Sequence, residues 1–164
     1  MSVQVRIGHG YDVHRLAPGI PFMLGGIHIE SQVGCVAHSD GDCLIHALCD
    51  AMLGALALGD IGTHFPDTSA EFKNIDSKIL LSRTCALIKE AGYELVNADC
   101  TVCLQAPKIA ACIPQMRTCL ASVIGVPEDR ISVKATTSEQ LGFVGRKEGI
   151  AVWVSCLLQQ IARD

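Results

Sequence analysis

No stretch of this 164-residue chain is apolar for long enough to cross a membrane, although 49% of its residues are hydrophobic. A spanning helix needs about 20 such residues in a row, and the best candidate, around 51–58, is interrupted by Gly54 and Gly59. A basic segment followed by an apolar stretch is also missing from the start, so no secretory leader is expected. Lys and Arg form no cluster: 13 cations are scattered among 17 acidic residues, for a net charge of -4. That balance argues against nucleic acid and anionic membrane surfaces as partners. Internal repeats, low-complexity segments and linkers are absent too. Residues 1–164 read as a single domain, long enough to bury a real core.

Cysteine is what the chain has in abundance. There are nine, an odd number that cannot all pair. Most stand where Ile, Val or Ala would serve: Cys43, Cys49 and Cys85 in helical runs, and Cys156 in a terminal run. Free cysteine behaves as a small buried hydrophobe, so reduced thiols in a cytosol-like compartment are expected. Cys100 and Cys103 have the CxxC spacing, but their run is strand-like. Residues three apart on a strand face opposite sides, so neither a chelate nor a redox pair is expected there.

Val3–His14 alternates as a strand, with Val3, Val5 and Ile7 on one face. Pro18-Gly19 marks a turn, and Phe22–Ile29 reads as a second strand carrying Gly25-Gly26. A loop over Gly34–Asp40 leads into a helix within Gly41–Leu58, where a carboxylate at Asp40 or Asp42 caps the first free amides. Asp42, His46 and Asp50 recur every four residues along it, a polar stripe that faces either solvent or a site. After a turn-rich loop, Asp76–Gly92 is an amphipathic helix, Glu94–Gln105 a strand, Ile113–Gly125 a helix and Ile131–Ala135 a strand. Gly142–Gly149 reads as a loop, and Ile150–Gln159 fits either a strand or a helix. Strands interleaved with helices predict an α/β fold: one two-layer domain, a mixed sheet with helices on one face. The other face needs a cover, which further copies of the chain would provide.

Four of the six histidines and three aspartates fall in two short stretches, Gly8–His14 and Ala37–His46. Asp12 and His14 are two apart, so on a strand both point to the same face. His46, on the following helix, would close on that pair from the neighbouring layer. One carboxylate and two imidazoles suit zinc at roughly 2.0–2.2 Å per bond, and three protein ligands leave a fourth position open, as in catalytic sites. The same spacing also fits two histidines satisfied by ordinary hydrogen bonds. His9 is at an odd offset from Asp12, and His28 and His64 lie outside both stretches, so these three are left out of the ligand set. Cys43, three residues before His46, would compete for zinc as a thiolate, but three apart on a helix is only partly the same face, so it is not expected to be a ligand.

The segments GHGYDVHRL, AHSDGDCLIHALCDAMLGALALGDIG, FPDTS, QAPK and KATTSEQLGFVGRKEGIA, in order from Ile7 to Ala151, resemble the 2-C-methyl-D-erythritol 2,4-cyclodiphosphate synthase family. The resemblance implies a phosphorus-oxygen lyase of non-mevalonate isoprenoid precursor synthesis. Its substrate would be 4-diphosphocytidyl-2-C-methyl-D-erythritol 2-phosphate, cyclised with release of CMP. It also implies a homotrimer with active sites between subunits, and residence in the cytoplasm, or in a plastid stroma after removal of a transit peptide.

By the same resemblance, Asp12, His14 and His46 hold zinc, and Glu139 holds a magnesium or manganese ion together with the substrate phosphates. His38, Ser39, Thr136 and Thr137 hold the phosphates, with His38 and Thr137 stabilising the transition state, and Val13 and Ser138 also contact substrate. Asp60, Ile61 and Gly62, then Phe65, Pro66, Asp67, Thr68 and Ser69, surround the erythritol part, with Asp60 accepting from its hydroxyls. Leu104, Gln105, Ala106, Pro107, Lys108, Ile109 and Ala110 form the cytosine pocket. Phe143 and Arg146 lie near the trimer axis, where an isoprenoid diphosphate can be held. Two other classes are consistent with the same residues. One is a non-catalytic trimer that binds an isoprenoid diphosphate. The other is a zinc hydrolase of nucleotide diphosphates, with Asp42 as its only visible general base.

Overall fold

The structure, a computed structural model, describes residues 4–162; Val3, expected at the start of the first strand, lies outside them. The first strand, β1, runs from Val5 to Pro18, longer than the sequence pattern suggested. Phe22–Ile29 is not one strand but a hairpin of β2 (Phe22–Leu24) and β3 (Ile27–Ile29). Gly25 and Gly26 turn it at φ 62° and 79°, a region that costs a glycine nothing. Part of the expected 34–40 loop is strand β4 (Val33–Cys35). Helix α1 (Cys43–Ala55) is capped by Asp42, which accepts from the Ile45 amide, and is followed by the single turn α2 (Ile61–His64).

Helix α3 (Ser77–Glu90), strand β5 (Tyr93–Cys103), helix α4 (Ile113–Ile124) and strand β6 (Ile131–Thr136) follow the pattern read from the sequence. Gly125, at φ 83°, ends α4. Within the expected loop 142–149 lies one helical turn, α5 (Gly142–Gly145). The ambiguous last segment is strand β7 (Gly149–Gln160). β7 is central: the main sheet runs β4-β1-β7-β5-β6, antiparallel except for the β5–β6 pair, which α4 connects. A central strand is apolar on both faces, which is why its periodicity was ambiguous.

One sheet face carries the core. Leu44, Leu48 and Met52 of α1 pack with Cys100, Val102, Val152 and Val154, and α3 and α4 close the layer. Gly8 and Gly10 let α1 approach β1: a Cβ at Gly10 would stand 1.9 Å from the Ala47 carbonyl oxygen. On the opposite face the chain leaves apolar side chains open, with Ile7 78% exposed beside Tyr11, Val13 and Trp153. This is the face for which the sequence predicted a cover.

All nine cysteines are unpaired, seven of them buried. Burial pushes the thiols of Cys35 and Cys100 up to about 12 and that of Cys156 to about 11, so they act as packing groups. Cys100 sits in the main core, while Cys103 packs with Val144 and Ala151 in a separate cluster, as the strand spacing required.

Candidate metal and substrate site

Asp12 and His14 leave β1 on the face that meets α1, whose first turn supplies Cys43 and His46. The Nδ1 atoms of His14 and His46 lie 3.0 and 3.3 Å from the same oxygen, Asp12 Oδ2, and the two rings are 5.2 Å apart. Neither contact has hydrogen-bond geometry, so Asp12 Oδ2 and His14 Nδ1 are buried polar atoms without partners. Orphaned buried groups are costly, and a cation between them would satisfy both. Burial works to raise the Asp12 pKa, but the two imidazoles outweigh it and hold the carboxyl well below the usual range. For His46, burial favours the neutral ring, and Asp12 reverses that and raises its pKa.

Among the described residues, the potential ligand atoms of Asp12, His14 and Cys43 all lie within 4.8 Å of one another, a group that does not include His46. Cys43 thus stands beside the metal group, closer than its offset of three residues from His46 suggested. Burial first, then the charge of Asp12, push its thiol up beyond the ordinary range, which keeps the proton on sulfur while no ion is bound.

The polar stripe of α1 faces inward. Asp42 is fully buried: Oδ1 accepts from the Gly25 and Ile45 amides and Oδ2 from Gly26, tying the β2–β3 hairpin to the helix. Asp50 accepts from the Ile61 amide at 2.7 Å and holds the start of α2. His46 Nε2 lies 3.0 Å from Ser77 Oγ and 3.1 Å from Ser39 Oγ, and Ser77 Oγ in turn donates to Asp40. The sequence reading missed Ser77. It begins a helix 31 residues from His46, and no spacing signal links the two.

The metal group opens into a cleft of about 340 Å³, lined by His14, His38, Ser39 and His46 on one side and Ile61, Gly62, Phe65 and Asp67 on the other. His38 Nε2 is 3.2 Å from the Ser69 carbonyl, and Ser69 caps a short turn over residues 70–72. Asp60 caps α2, accepting from the amide and hydroxyl of Thr63. The Val13 side chain is on the open sheet face, away from the cluster, and its amide donates to Asp12 Oδ1.

A second cleft, of about 260 Å³, gathers Leu104, Gln105, Pro107, Lys108, Ile109 and Ala110 with Thr136 and Thr137. The Ala106–Pro107 peptide in its wall is cis. Thr137 Oγ1 donates to Glu139 Oε1, and the Gln140 amide donates to the Gln105 side chain. Glu139 and Gln140 both have left-handed backbones, at φ 53° and 65°. Ser138 Oγ donates to the Leu141 carbonyl, and Arg146 pairs with Glu148 through two hydrogen bonds. Phe143, partly exposed, lies near Gly149.

The two clefts share no lining residue. Asp12, Val152, Val102 and Ala135 form one row across the sheet, so three strand spacings, roughly 14 Å, separate the metal group from the threonine edge. One chain therefore brings Asp12, His14, His38, Ser39 and His46 together, and Thr136, Thr137 and Glu139 together, but not the one set with the other.

Fold and site define a two-layer α/β domain with a candidate metal centre where sheet meets helix and two separate clefts at one end of the sheet. The chain belongs to the YgbB family, whose model matches residues 5–159. It is 55% identical over 159 residues to the 2-C-methyl-D-erythritol 2,4-cyclodiphosphate synthase of Parabacteroides distasonis, across 97% of this chain and 99% of that one. The structure of the bifunctional IspDF from Campylobacter jejuni is similar at a TM-score of 0.94 and 45% identity; the match covers 98% of this chain and 43% of that longer one. An IspF from Plasmodium falciparum in complex with CDP matches at a TM-score of 0.86 and 34% identity, over 99% of this chain and 100% of that one.

Proposed function

We propose that the chain, as one synthase domain over residues 1–164, converts 4-diphosphocytidyl-2-C-methyl-D-erythritol 2-phosphate into 2-C-methyl-D-erythritol 2,4-cyclodiphosphate and CMP, serving non-mevalonate isoprenoid synthesis in the cytoplasm. The observation that carries this reading is the cluster of Asp12, His14 and His46, with its partnerless buried atoms, opening into a cleft in a chain that the synthases match along nearly its full length. In the reaction, an oxygen of the 2-phosphate bonds to the β-phosphorus. The bond from that phosphorus to the oxygen bridging it to the α-phosphate breaks, and CMP leaves with the electron pair.

Asp12, His14 and His46 would hold zinc, and Glu139 a magnesium or manganese ion. Such ions supply Lewis-acid stabilisation of the charge that builds on phosphate oxygens. The work of the chain is to bring two mutually repelling phosphates into line, with donors placed in advance. His38, Ser39, Thr136 and Thr137 are those donors, and residues 104–110 hold the cytosine. No protein nucleophile is needed, because the attacking oxygen belongs to the substrate.

The separation of the two clefts supports a homotrimer in which the metal side of one subunit faces the threonine side of the next. In it the open apolar sheet face would be covered. Phe143 and Arg146 would then lie near the axis, where an isoprenoid diphosphate would fit.

The hydrolase alternative loses support from Asp42, whose two oxygens are buried and already accept three amides. Turnover in ¹⁸O-labelled water tests the difference: internal cyclisation leaves CMP and the product unlabelled, whereas label in either means hydrolysis. Glu139→Gln is expected to keep zinc and to need a higher magnesium concentration for turnover. Normal turnover at the usual magnesium concentration would remove Glu139 from that role.

A further inference from the structure

We infer that Asp40 and Ser77 are positioning residues that hold the His46 ring with its proton on Nε2 and present Nδ1 to the metal; this rests on the zinc reading above. Ser77 Oγ donates its only proton to Asp40, so toward His46 Nε2, 3.0 Å away, it can act only as an acceptor. A serine hydroxyl has one proton to give and two lone pairs. Nε2 must therefore carry a proton whatever the charge of the ring, so Nδ1, the atom 3.3 Å from Asp12 Oδ2, is the nitrogen left to give its lone pair to a metal.

The relay is rigid. Ser77 is fully buried at the start of α3. Asp40 also accepts from the amides of Ser77, at 2.9 Å, and Asp42, at 3.1 Å. One carboxylate thus joins the first turn of α3, the cap of α1 and the ring between them. Metal-bound histidines gain orientation and basicity from such outer partners. A corollary concerns Ser39, whose Oγ is 3.1 Å from the same Nε2 and accepts from the Gly41 amide. A protonated Nε2 cannot accept from Ser39, so that hydroxyl proton is free to be donated into the cleft.

The test uses the full chain. In zinc-loaded protein labelled with ¹⁵N at histidine, His46 is expected to have zinc on Nδ1 and a proton on Nε2. Ser77→Ala is expected to weaken zinc roughly 10- to 100-fold in chelator competition, and Ser77→Thr, which keeps the hydroxyl, to recover most of the loss. Zinc on Nε2, or unchanged affinity in a folded Ser77→Ala protein, overturns the relay while leaving zinc binding intact. If Ser77→Ala does not fold, the ring tautomer of the unsubstituted protein decides alone. Failure of the unsubstituted protein to bind zinc overturns the metal reading and the relay with it.

Discussion

His46→Ala protein is expected to lose zinc and turnover together while keeping its fold. The ring takes no part in capping α1, which depends on Asp42. Its removal leaves Asp12 and His14 as the remaining members of the proposed ligand set, with Cys43 beside them. Loss of one electrostatic stabiliser costs roughly 10²–10³ in rate in other enzymes, and loss of the ion removes more than one, so turnover should fall by at least about 10². Zinc content after dialysis and the rate of CMP release are the two readouts. Retention of zinc with normal turnover would mean that the cluster is a packing feature. Zinc retained with turnover lost would point to Cys43 taking the vacated place.

Gly10→Ala is expected to destabilise the fold strongly. The new methyl would meet the Ala47 carbonyl oxygen at 1.9 Å and the Ala51 amide nitrogen at 2.8 Å. Both are backbone atoms of α1, so no side-chain rotation relieves the clash and the helix must move off the sheet. Overpacking a core costs about 1–3 kcal/mol and occasionally more, and a rigid backbone contact belongs at the upper end. For a chain of this size about 3 kcal/mol lowers Tm by roughly 6–12 °C. Because α1 carries His46 and faces Asp12 across the same gap, zinc affinity should fall as well. A melting curve and a zinc titration check both; an unchanged Tm would mean that α1 is not held as closely as the distances state.

Much of this was legible in the sequence because it depends on local period. Asp12 and His14 share a strand face by their spacing, Asp42 caps the helix that carries His46, and the ends of α3 and α4 follow from Asp76 and Gly125. What escaped depends on contacts between distant segments. The β2–β3 hairpin is held by Asp42, 16 residues from Gly26, so its eight residues looked like one strand. β7 was ambiguous because a central strand buries both faces. Ser77 and Asp40 are 37 residues apart, and either alone reads as a polar residue near the start of a helix. The uncovered sheet face was anticipated from the two-layer arrangement. The division of the site into two clefts was not, because the strand order that separates them, with β7 and β5 between β1 and β6, is set by long-range pairing.

Phosphorus NMR of the purified protein with zinc, magnesium and the cytidyl diphosphate substrate tests the central claim most directly. The account predicts that CMP appears together with a new pair of coupled cyclic-diphosphate resonances. CMP accompanied by a linear bisphosphate would contradict cyclisation and leave a zinc-dependent hydrolase. An unchanged spectrum from protein that holds zinc would contradict catalysis altogether.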